Sequence, residues 1–320
     1  MAIILTEKQV TELLDIETAI AAVEEVVRDQ AVGQATNRPR QRVFGGGSLL
    51  HVMAGGDKRL GVYGFKAYST AKTGARFLVM LYDSASGDLL ALIEADRLGQ
   101  MRTGAASGVA TRYMAREDAE SVGVFGTGWQ AESQLMAVCA VRKIKRVACY
   151  SRSPENRRKF AEKMSALINL DVAPVLTPEE AVCGHAILIT ATSARQAFLQ
   201  GEWLEPGQHL NVVGANYLSK SEVNAAAVAK ARVIAVDSIE QAKMEAGDLL
   251  PALENGTINW ESVTELGRIV AGQVAGRHSL DDITLFKSGG IAIWDVSTAL
   301  RVYNLARQRG IGKPLDLWTE

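Results

Sequence analysis

The feature that most constrains the fold is the glycine-rich run Val122–Ala131, which reads VGVFGTGWQA. It places a G-x-G-x-x-A pattern directly after an apolar segment and at the start of a helical one. Gly126 permits a tight turn, Gly128 lets the backbone approach a pyrophosphate, and Ala131 lets helix and strand pack closely. A helix N-terminus also favours phosphate. The pattern therefore predicts a dinucleotide-binding loop rather than a structural glycine turn. The residues of this loop predicted to contact the cofactor are Gly126, Gly128, Trp129 and Gln130.

Apolar runs alternate with helical stretches throughout the region that follows Ala119. The predicted strands are Ser121–Phe125, Arg146–Tyr150, His185–Thr190, His209–Val213 and Arg232–Val236. The predicted helices are Trp129–Val141, Pro154–Ile168 and Glu222–Ala229. Buried strands that alternate with helices form βαβ units and a parallel sheet. We therefore expect an α/β fold with a Rossmann-type doubly wound parallel sheet.

The residues before this region follow a different pattern. Thr6 and Gln9 form a capping box, and Asp15 is placed to cap a second helix. Strands separated by turn residues are predicted at Ser48–Met53, Gly61–Tyr68, Arg76–Tyr82 and Leu89–Ile93, followed by a helix at Asp96–Met114. This order predicts an α+β domain with an antiparallel sheet. The amphipathic stretch Ile291–Gln308 predicts a closing helix, and the expected domains are 1–115 with 300–320, and 116–299.

The charge balance excludes several classes of protein. The 320 residues carry 35 Lys and Arg against 36 Asp and Glu, so neither a nucleic acid nor a membrane surface is an expected partner. No apolar run reaches the length of a membrane span. Three cysteines without metal-binding spacing fit a reducing cytoplasm, with no disulfide framework and no metal site. The expectation is a cytoplasmic protein.

The end of the second strand of the α/β region bears on which cofactor binds. Enzymes that use NAD usually carry an acidic residue there, which binds the ribose hydroxyls. Here Ser151 and Arg152 follow the strand, and the first acid is Glu155. A serine and an arginine can bind a 2′-phosphate, which an acid would repel. We therefore predict that NADP(H) is preferred and that NAD(H) remains possible, with a merely solvated Arg152 as the alternative.

At this point the chain resembles the ornithine cyclodeaminase/μ-crystallin family, in its ketimine reductase-like branch. The segments that carry the resemblance, besides the glycine-rich loop, are Gly64–Lys66, Asp96–Ala106, Thr190–Ser193, Asn211–Asn216 and Thr284–Gly290. They occur in the family's order along nearly the whole chain. The resemblance implies a homodimer in which the first domain supplies the dimer sheet and the substrate site, and the closing helix returns to that domain.

The resemblance also implies roles for individual residues. Arg42, Lys66 and Arg102 are expected to line the substrate site, with Arg40 as a rival to Arg42 in the run Arg38–Arg42. Arginine suits the bidentate binding of a carboxylate, and lysine can add a charge or relay a proton. The other positions assigned to substrate or cofactor by the resemblance are Gly289 on the substrate side, and Arg102, Thr192, Val213, Gly214 and Ser288 on the cofactor side.

Asn216 departs from the family's cyclodeaminases, which carry an aspartate at the matching position. That carboxylate resembles the general base of deamination, and an asparagine cannot take up a proton. Asn216 can still orient an imine nitrogen or a water. The preferred hypothesis is therefore an NADP(H)-dependent reductase of ketimines, such as Δ1-pyrroline- or Δ1-piperideine-2-carboxylate or the imine of a 2-oxo acid. The alternatives are an alanine-type amino-acid dehydrogenase, a cyclodeaminase, and a nucleotide-binding protein without turnover.

Overall fold

The computed structural model describes residues 2–72 and 74–317 and divides into two compact units. The first unit is Met1–Ala105 with Gly290–Glu320, and the second is Ala106–Gly289. Both divisions fall ten residues before the boundaries expected from the sequence. The expected cut after residue 299 would split helix α11 (Ala292–Arg309), which belongs entirely to the first unit. Helix α3 (Asp96–Met114) continues through the other division.

The first unit is an α+β unit built on a mixed sheet. Its strands are β1 (Ala2–Leu5), β2 (Ala35–Asn37), β3 (Gln41–Phe44), β4 (Leu49–Asp57), β5 (Val62–Ala71), β6 (Gly74–Asp83), β7 (Leu89–Glu94) and β16 (Lys313–Leu315). Its other helices are α1 (Glu7–Leu13) and α2 (Ile16–Ala31). The strands lie in the order β16-β1-β7-β6-β5-β4-β2, with β3 beside β4. The predicted hairpins β4 to β7 are confirmed as antiparallel neighbours, but β1 pairs parallel to β7, which corrects the purely antiparallel expectation.

Local sequence signals fix where the first helices begin. The backbone amide of Thr6 donates to Oε1 of Gln9 at 2.9 Å, and Oδ1 of Asp15 accepts from the amide of Thr18 at 2.7 Å. Both predicted caps are therefore confirmed. Helix α11 packs on α2 and against β4 and β5. In that layer Lys66 lies across from Met53 on one neighbouring strand and from Val79 on the other.

The second unit is a doubly wound parallel sheet with helices, as predicted. Its strands are β8 (Ser121–Phe125), β9 (Arg146–Tyr150), β10 (Val172–Pro174), β11 (Ile187–Thr190), β12 (His209–Val212), β13 (Ala231–Val236), β14 (Val263–Glu265) and β15 (Ile283–Lys287). They lie in the order β10-β9-β8-β11-β12-β15-β13-β14, and every neighbouring pair is parallel. The chain runs from β8 to β10 on one side of the sheet and continues with β11 on the other side of β8, so the strand order reverses between β8 and β11. Ligands of such sheets bind outside the carboxyl ends of the strands at this switch point.

Two of the three helices predicted in the second unit, Trp129–Val141 and Pro154–Ile168, are confirmed, and the third is corrected. The helices of this unit are α4 (Trp129–Val141), α5 (Pro154–Ile168), α6 (Pro178–Val182), α7 (Ala225–Lys230), α8 (Ile239–Glu245), α9 (Leu250–Glu254) and α10 (Leu266–Val270). The helix predicted at Glu222–Ala229 begins only at Ala225. The Asn224 side chain caps that helix by accepting from the amide of Ala227 at 2.8 Å, and Glu222 is buried in another role.

Within residues 2–72 and 74–317, no helix is both long enough and apolar enough to cross a membrane. The same residues contain no group of three or more His, Cys, Asp or Glu side chains arranged to hold a metal ion.

Candidate active site

The glycine-rich loop has the backbone geometry that a pyrophosphate site requires. Gly126 has a φ of 96°, and a Cβ there would lie 2.3 Å from the carbonyl oxygen of Ala191, so only glycine fits. Gly128 precedes α4 in an extended conformation, and a Cβ there would meet no atom within 4 Å. Close backbone approach and a helix N-terminus therefore coincide, and these residues fit the phosphates of a dinucleotide. Trp129, the first residue of α4, is 42% exposed, and Gln130 is partly buried beside it.

The end of strand β9 places the residues predicted to select the cofactor. Tyr150 is the last residue of the strand, and its carbonyl oxygen accepts from the amide of Gly126 at 2.9 Å. The next residue, Ser151, is partly buried and donates its hydroxyl to the carbonyl oxygen of Ser153 at 3.1 Å. Arg152 is exposed. The strand end next to the glycine-rich loop thus carries a hydroxyl and a guanidinium and no carboxylate.

A buried carboxylate that the sequence analysis missed joins the loops after β11 and β12. Oε1 of Glu222 accepts from the backbone amide and from the hydroxyl of Thr192, both at 2.7 Å. Oε2 accepts from the amide of Gly214 at 2.7 Å and from the hydroxyl of Thr190 at 2.8 Å. Burial raises the pKa of Glu222, and the nearby carboxylate of Asp248 adds to this effect. Thr192 and Gly214, two predicted cofactor residues, are therefore held by one side chain.

The loop that carries Val213 and Asn216 is also fixed from strand β15. Lys287, the last residue of β15, is buried and donates its ammonium to the carbonyl oxygen of Ala215 at 2.6 Å. The same nitrogen lies 2.8 Å from Oδ2 of Asp248, so the two form a buried ion pair. Val213 and Asn216 are both partly buried in this loop. The sequence analysis did not single out Lys287 or Asp248, because a buried pair from distant segments leaves no local pattern.

The residues just after β15 contact an acid of the same unit. Ser288 donates its hydroxyl to Oδ2 of Asp237 at 3.1 Å, and the amide of Gly289 donates to the same oxygen at 2.9 Å. A Cβ on Gly289 would lie 3.1 Å from Oε2 of Glu245. Ser288 and Gly289 therefore belong to a turn that Asp237 organises.

In the first unit, Lys66 and Arg102 share one buried carboxylate. Nζ of Lys66 on β5 and Nε of Arg102 on α3 both lie 2.9 Å from Oδ1 of Asp295. Lys66 is 3% exposed, and Asp295, in the first turn of α11, is 0% exposed. Asp295 was not predicted from the sequence as a site residue. The available signal was a lone acid in the apolar run Ile291–Val296.

The surroundings of Lys66 bring its ionisation close to neutral pH. Burial lowers the pKa of Lys66 to about 7, the neighbouring charges of Arg102 and Arg40 act in the same direction, and Asp295 opposes them. A lysine that ionises near neutrality can exchange a proton with a ligand at little cost.

Both arginines that the sequence left as alternatives lie near this group. Arg40 is buried, and its Nη2 donates to the carbonyl oxygen of Gly290 at 3.4 Å. Arg42 on β3 is partly buried and lies directly across from His51 on β4. Burial, together with the charges of Arg40, Arg42 and Lys66, lowers the pKa of His51 to about 4, so this histidine is neutral at pH 7. The first unit therefore places three basic side chains, Arg40, Arg42 and Lys66, near a neutral imidazole.

Comparison with known proteins identifies the family of this chain. The model of the ornithine cyclodeaminase/mu-crystallin family matches residues 1–310. The chain belongs to that family. The predicted resemblance is therefore confirmed, and the family's members include reductases and dehydrogenases that the chain matches over most of its length.

Three relatives illustrate the range of this family. A Delta(1)-pyrroline-2-carboxylate reductase of Bacillus cereus is 38% identical over 240 residues, which cover 75% of this chain and 74% of the relative. The structure of Thermococcus litoralis Delta(1)-pyrroline-2-carboxylate reductase in complex with NADH and L-proline has a TM-score of 0.93 at 33% identity, covering 98% of this chain and 100% of that one. An archaeal alanine dehydrogenase dimer with bound NAD also has a TM-score of 0.93, at 31% identity and 99% coverage of both chains.

Proposed function

We propose that this member of the family is an NAD(P)H-dependent reductase of ketimines that carry a carboxylate, with cyclic imino acids such as Δ1-pyrroline-2-carboxylate as substrates. The observation that carries the proposal is the pair of cations, Lys66 and Arg102, that share the single carboxylate of Asp295. Two basic side chains face one carboxylate, so positive charge exceeds negative charge among these three buried groups. A substrate carboxylate supplies the missing negative charge.

Each side chain of this group has a task that its chemistry permits. Arg102, with Arg40 or Arg42, holds the substrate carboxylate through paired hydrogen bonds. Lys66 binds the substrate as an ammonium and gives up a proton from Nζ toward the substrate nitrogen, which its pKa near 7 allows. Asn216 orients the nitrogen or a water through its amide. The nicotinamide cofactor, bound by the loops of the second unit, supplies the hydride.

The similar proteins support this class of reaction and one alternative. Two of the relatives described above are named pyrroline-2-carboxylate reductases, and one of these was solved with NADH and L-proline. The other is an alanine dehydrogenase of similar fold and full coverage, which favours amino-acid dehydrogenation as the second candidate. Both reactions move a hydride between a nicotinamide and the carbon that bears nitrogen.

The test is to follow nicotinamide absorbance with a panel of substrates. The panel contains Δ1-pyrroline-2-carboxylate, Δ1-piperideine-2-carboxylate, and pyruvate with ammonia, each with NADPH and with NADH. We expect the fastest oxidation with a cyclic imino acid. Lys66→Met should lower kcat/KM by about tenfold or more, the usual worth of a charged hydrogen bond. Lys58→Met, a change at an exposed lysine of the same unit, is the control.

Two results would contradict the proposal. Faster turnover of pyruvate with ammonia than of any cyclic imino acid would favour the alanine-type dehydrogenase. Folded protein that binds a nicotinamide cofactor but oxidises it with none of these substrates would favour a nucleotide-binding role without turnover.

We also propose that the protein prefers NADP(H). Enzymes that use NAD usually carry an acidic residue at the strand end that corresponds to β9, which binds the ribose. In this chain the exposed Arg152 and the hydroxyl of Ser151 lie there instead. The two structures compared above were solved with NADH and NAD, so the preference rests on these two residues of this chain alone.

A homodimer formed through the first unit is the third part of the proposal. Strand β3 exposes Val43 at 58% and Phe44 at 84%, and Leu50, Tyr63 and Leu78 are exposed on neighbouring strands. Exposed apolar groups of this size mark interaction surfaces. The similar archaeal alanine dehydrogenase is a dimer.

Light scattering tests this proposal and should give twice the chain mass. Phe44→Asp should lower the measured mass, whereas Leu176→Asp, at an exposed leucine of the second unit, should not. A parent protein that elutes as a monomer would contradict the proposal.

A further inference from the structure

The two carboxylate oxygens of Asp295 have different hydrogen-bond partners. Oδ1 lies 2.9 Å from both Nζ of Lys66 and Nε of Arg102. Oδ2 is buried and has no hydrogen-bond partner among the residues that the structure describes, and the same holds for Nη1 of Arg102. Buried polar atoms without partners are costly in a folded protein, and they persist where a ligand completes the set. Asp295 and Arg102 therefore each keep one buried polar atom that a ligand can bind.

The guanidinium of Arg102 is confined on several sides. Its Nε is held by Asp295, and its Cζ lies 5.9 Å from the centre of the Trp294 ring. Gly290 has a φ of 78°, and a Cβ there would lie 2.6 Å from Nη1 of Arg102. A bulkier residue at position 290 would displace the guanidinium. The contact between Nε of Arg102 and Oδ1 of Asp295 thus fixes the plane of the guanidinium. That plane determines where a carboxylate can bind through two hydrogen bonds.

Asp295 is the acid among the groups that set the charge of Lys66. Arg102 on α3 and Arg40 before β3 both disfavour the ammonium form, as does burial. The rings of Tyr68 and Phe77 also lie nearby, with their centres 5.6 and 5.9 Å from Nζ. His51, stacked on Tyr68, is neutral because its pKa is lowered to about 4. Without the Asp295 carboxylate, Lys66 would lose the contact that favours its ammonium form against burial, Arg102 and Arg40.

We infer that Asp295 is a positioning residue of the reductase, which keeps Lys66 in its ammonium form and holds the guanidinium of Arg102 in the orientation that binds the substrate carboxylate. This inference rests on the proposed function, because it assigns Lys66 and Arg102 to the substrate. Asp295 acts through these two side chains. Its location at the N-terminal turn of α11 also favours a carboxylate there.

The first experiment compares the pH dependence of kcat/KM in the parent and in Asp295→Asn. If Lys66 acts as an ammonium, activity falls as pH rises through its pKa. Removing the carboxylate removes a contribution that raises that pKa, so the falling limb should move to lower pH by about one unit or more. Ionisation of the substrate is common to both profiles and does not alter the difference. Asp57→Asn, which removes another buried carboxylate of the same unit, should leave the limb in place.

The second experiment isolates the effect on Arg102. In a Lys66→Met background the charge of Lys66 no longer contributes, so any further effect of Asp295→Asn acts through Arg102. We expect kcat/KM in the double variant to fall at least about fivefold below that of Lys66→Met alone, mainly through a higher KM. The double variant loses one positive and one negative charge, so it does not leave the ammonium of Lys66 buried without its carboxylate. It can therefore be measured even if Asp295→Asn alone does not fold. Equal values for the two variants overturn the role of Asp295 in orienting Arg102.

A third readout needs no turnover. With lysines labelled at 15Nζ, the resonance absent from Lys66→Met identifies Lys66, and its titration midpoint can be followed by NMR. A lower midpoint in Asp295→Asn supports the inference even if no imine is reduced, in which case the proposed substrate alone is wrong. An unchanged midpoint, or an unshifted pH limb in an active enzyme, overturns the inference while leaving the proposed reaction intact.

Discussion

Glu222 and Thr192 are joined twice, because both the amide and the hydroxyl of Thr192 donate to Oε1 of Glu222 at 2.7 Å. Thr192 follows strand β11, and the other carboxylate oxygen holds Gly214 after strand β12. One buried side chain therefore sets the positions of two loops at the carboxyl edge of the parallel sheet. Ligands of this kind of sheet bind at that edge, so the rigidity of both loops depends on Glu222.

Replacing Glu222 with glutamine tests this dependence. Glutamine keeps the shape but presents an NH2 group to donors, so at least one buried hydrogen bond is lost. We expect the free energy of unfolding in urea to fall by about 1–3 kcal/mol and the Kd for the nicotinamide cofactor to rise. Glu179→Gln, at an exposed site on α6, is the control. Parental stability and cofactor affinity in Glu222→Gln would show that the four hydrogen bonds contribute nothing.

The two glycines of the dinucleotide loop should respond differently to alanine. Gly126→Ala introduces a Cβ 2.3 Å from the carbonyl of Ala191 at a positive φ, so it should lower the Tm and destabilise by more than about 1 kcal/mol. Gly128→Ala meets open space and should keep the parental Tm, but it should weaken cofactor binding because the methyl group occupies the approach to α4. Calorimetry and cofactor titration of both variants provide the measurement. Equal effects of the two substitutions on Tm would contradict the prediction.

Arg152 should account for discrimination between the two cofactors. We expect NADPH to bind more tightly than NADH, and Arg152→Ala to narrow the difference by about tenfold or more, since a charge-assisted phosphate contact is lost. Arg158→Ala, on the exposed side of α5, should leave both dissociation constants unchanged. Fluorescence titration measures them. Equal constants for NADPH and NADH in the parent protein would remove the basis of the prediction.

Lys66 should make stability depend on pH in a particular direction. Its pKa is about 7 in the folded chain against an ordinary 10.5, so between these values the unfolded chain binds the additional proton. The contribution of Lys66 to the free energy of unfolding therefore increases as pH rises above about 7, and below that pH the contribution is lost. Urea titrations between about pH 7 and pH 9 should show this increase in the parent and in Lys58→Met but not in Lys66→Met. Parallel curves for all three proteins would show that the pKa of Lys66 is not lowered.

Asn216 should prevent the deamination of ornithine. It lies in the loop that Lys287 fixes through Ala215, and its amide cannot act as a general base. We expect no ammonia release from ornithine with catalytic NAD under conditions in which an imine is reduced. Ammonia formation at the rate of the best imine reduction would show that another group supplies the base.

Local signals explain most of what the sequence predicted about the fold. Helices α4 and α5 begin and end where expected, because a glycine-rich turn precedes the first and Ser153 with Pro154 starts the second. The exception is α7, which was predicted to begin at Glu222 and begins at Ala225. A buried carboxylate with four donors from other segments overrides such a local preference. Strands β10 and β14, of three residues each, carry too little pattern to be recognised.

The candidate site was predictable in its cations and not in its anions. Lys66 and Arg102 were predicted because they lie in segments that carry the family resemblance, Gly64–Lys66 and Asp96–Ala106. The partner of Lys66, Asp295, is 229 positions away along the chain. Lys287, at the end of β15, likewise pairs with an acid from a different segment, Asp248 in the loop between α8 and α9. Such pairs depend on which strands and helices become neighbours, and a single sequence does not contain that information. The assignments of Arg40 and Arg42 likewise remain predictions.

The ion pair between Lys66 and Asp295 also has a consequence for the order of folding during synthesis. Residues 106–289 form one continuous stretch, so the second unit can fold as soon as it has left the ribosome. The first unit cannot, because α11 and β16 are made after the second unit, and until then its sheet lacks β16 and is not covered by α11. Until α11 arrives, Lys66 and Arg102 have no carboxylate to share, and burying them would be costly. The first unit is therefore completed after the second, and a released chain truncated before residue 295 should expose this sheet to proteases while the second unit is already resistant.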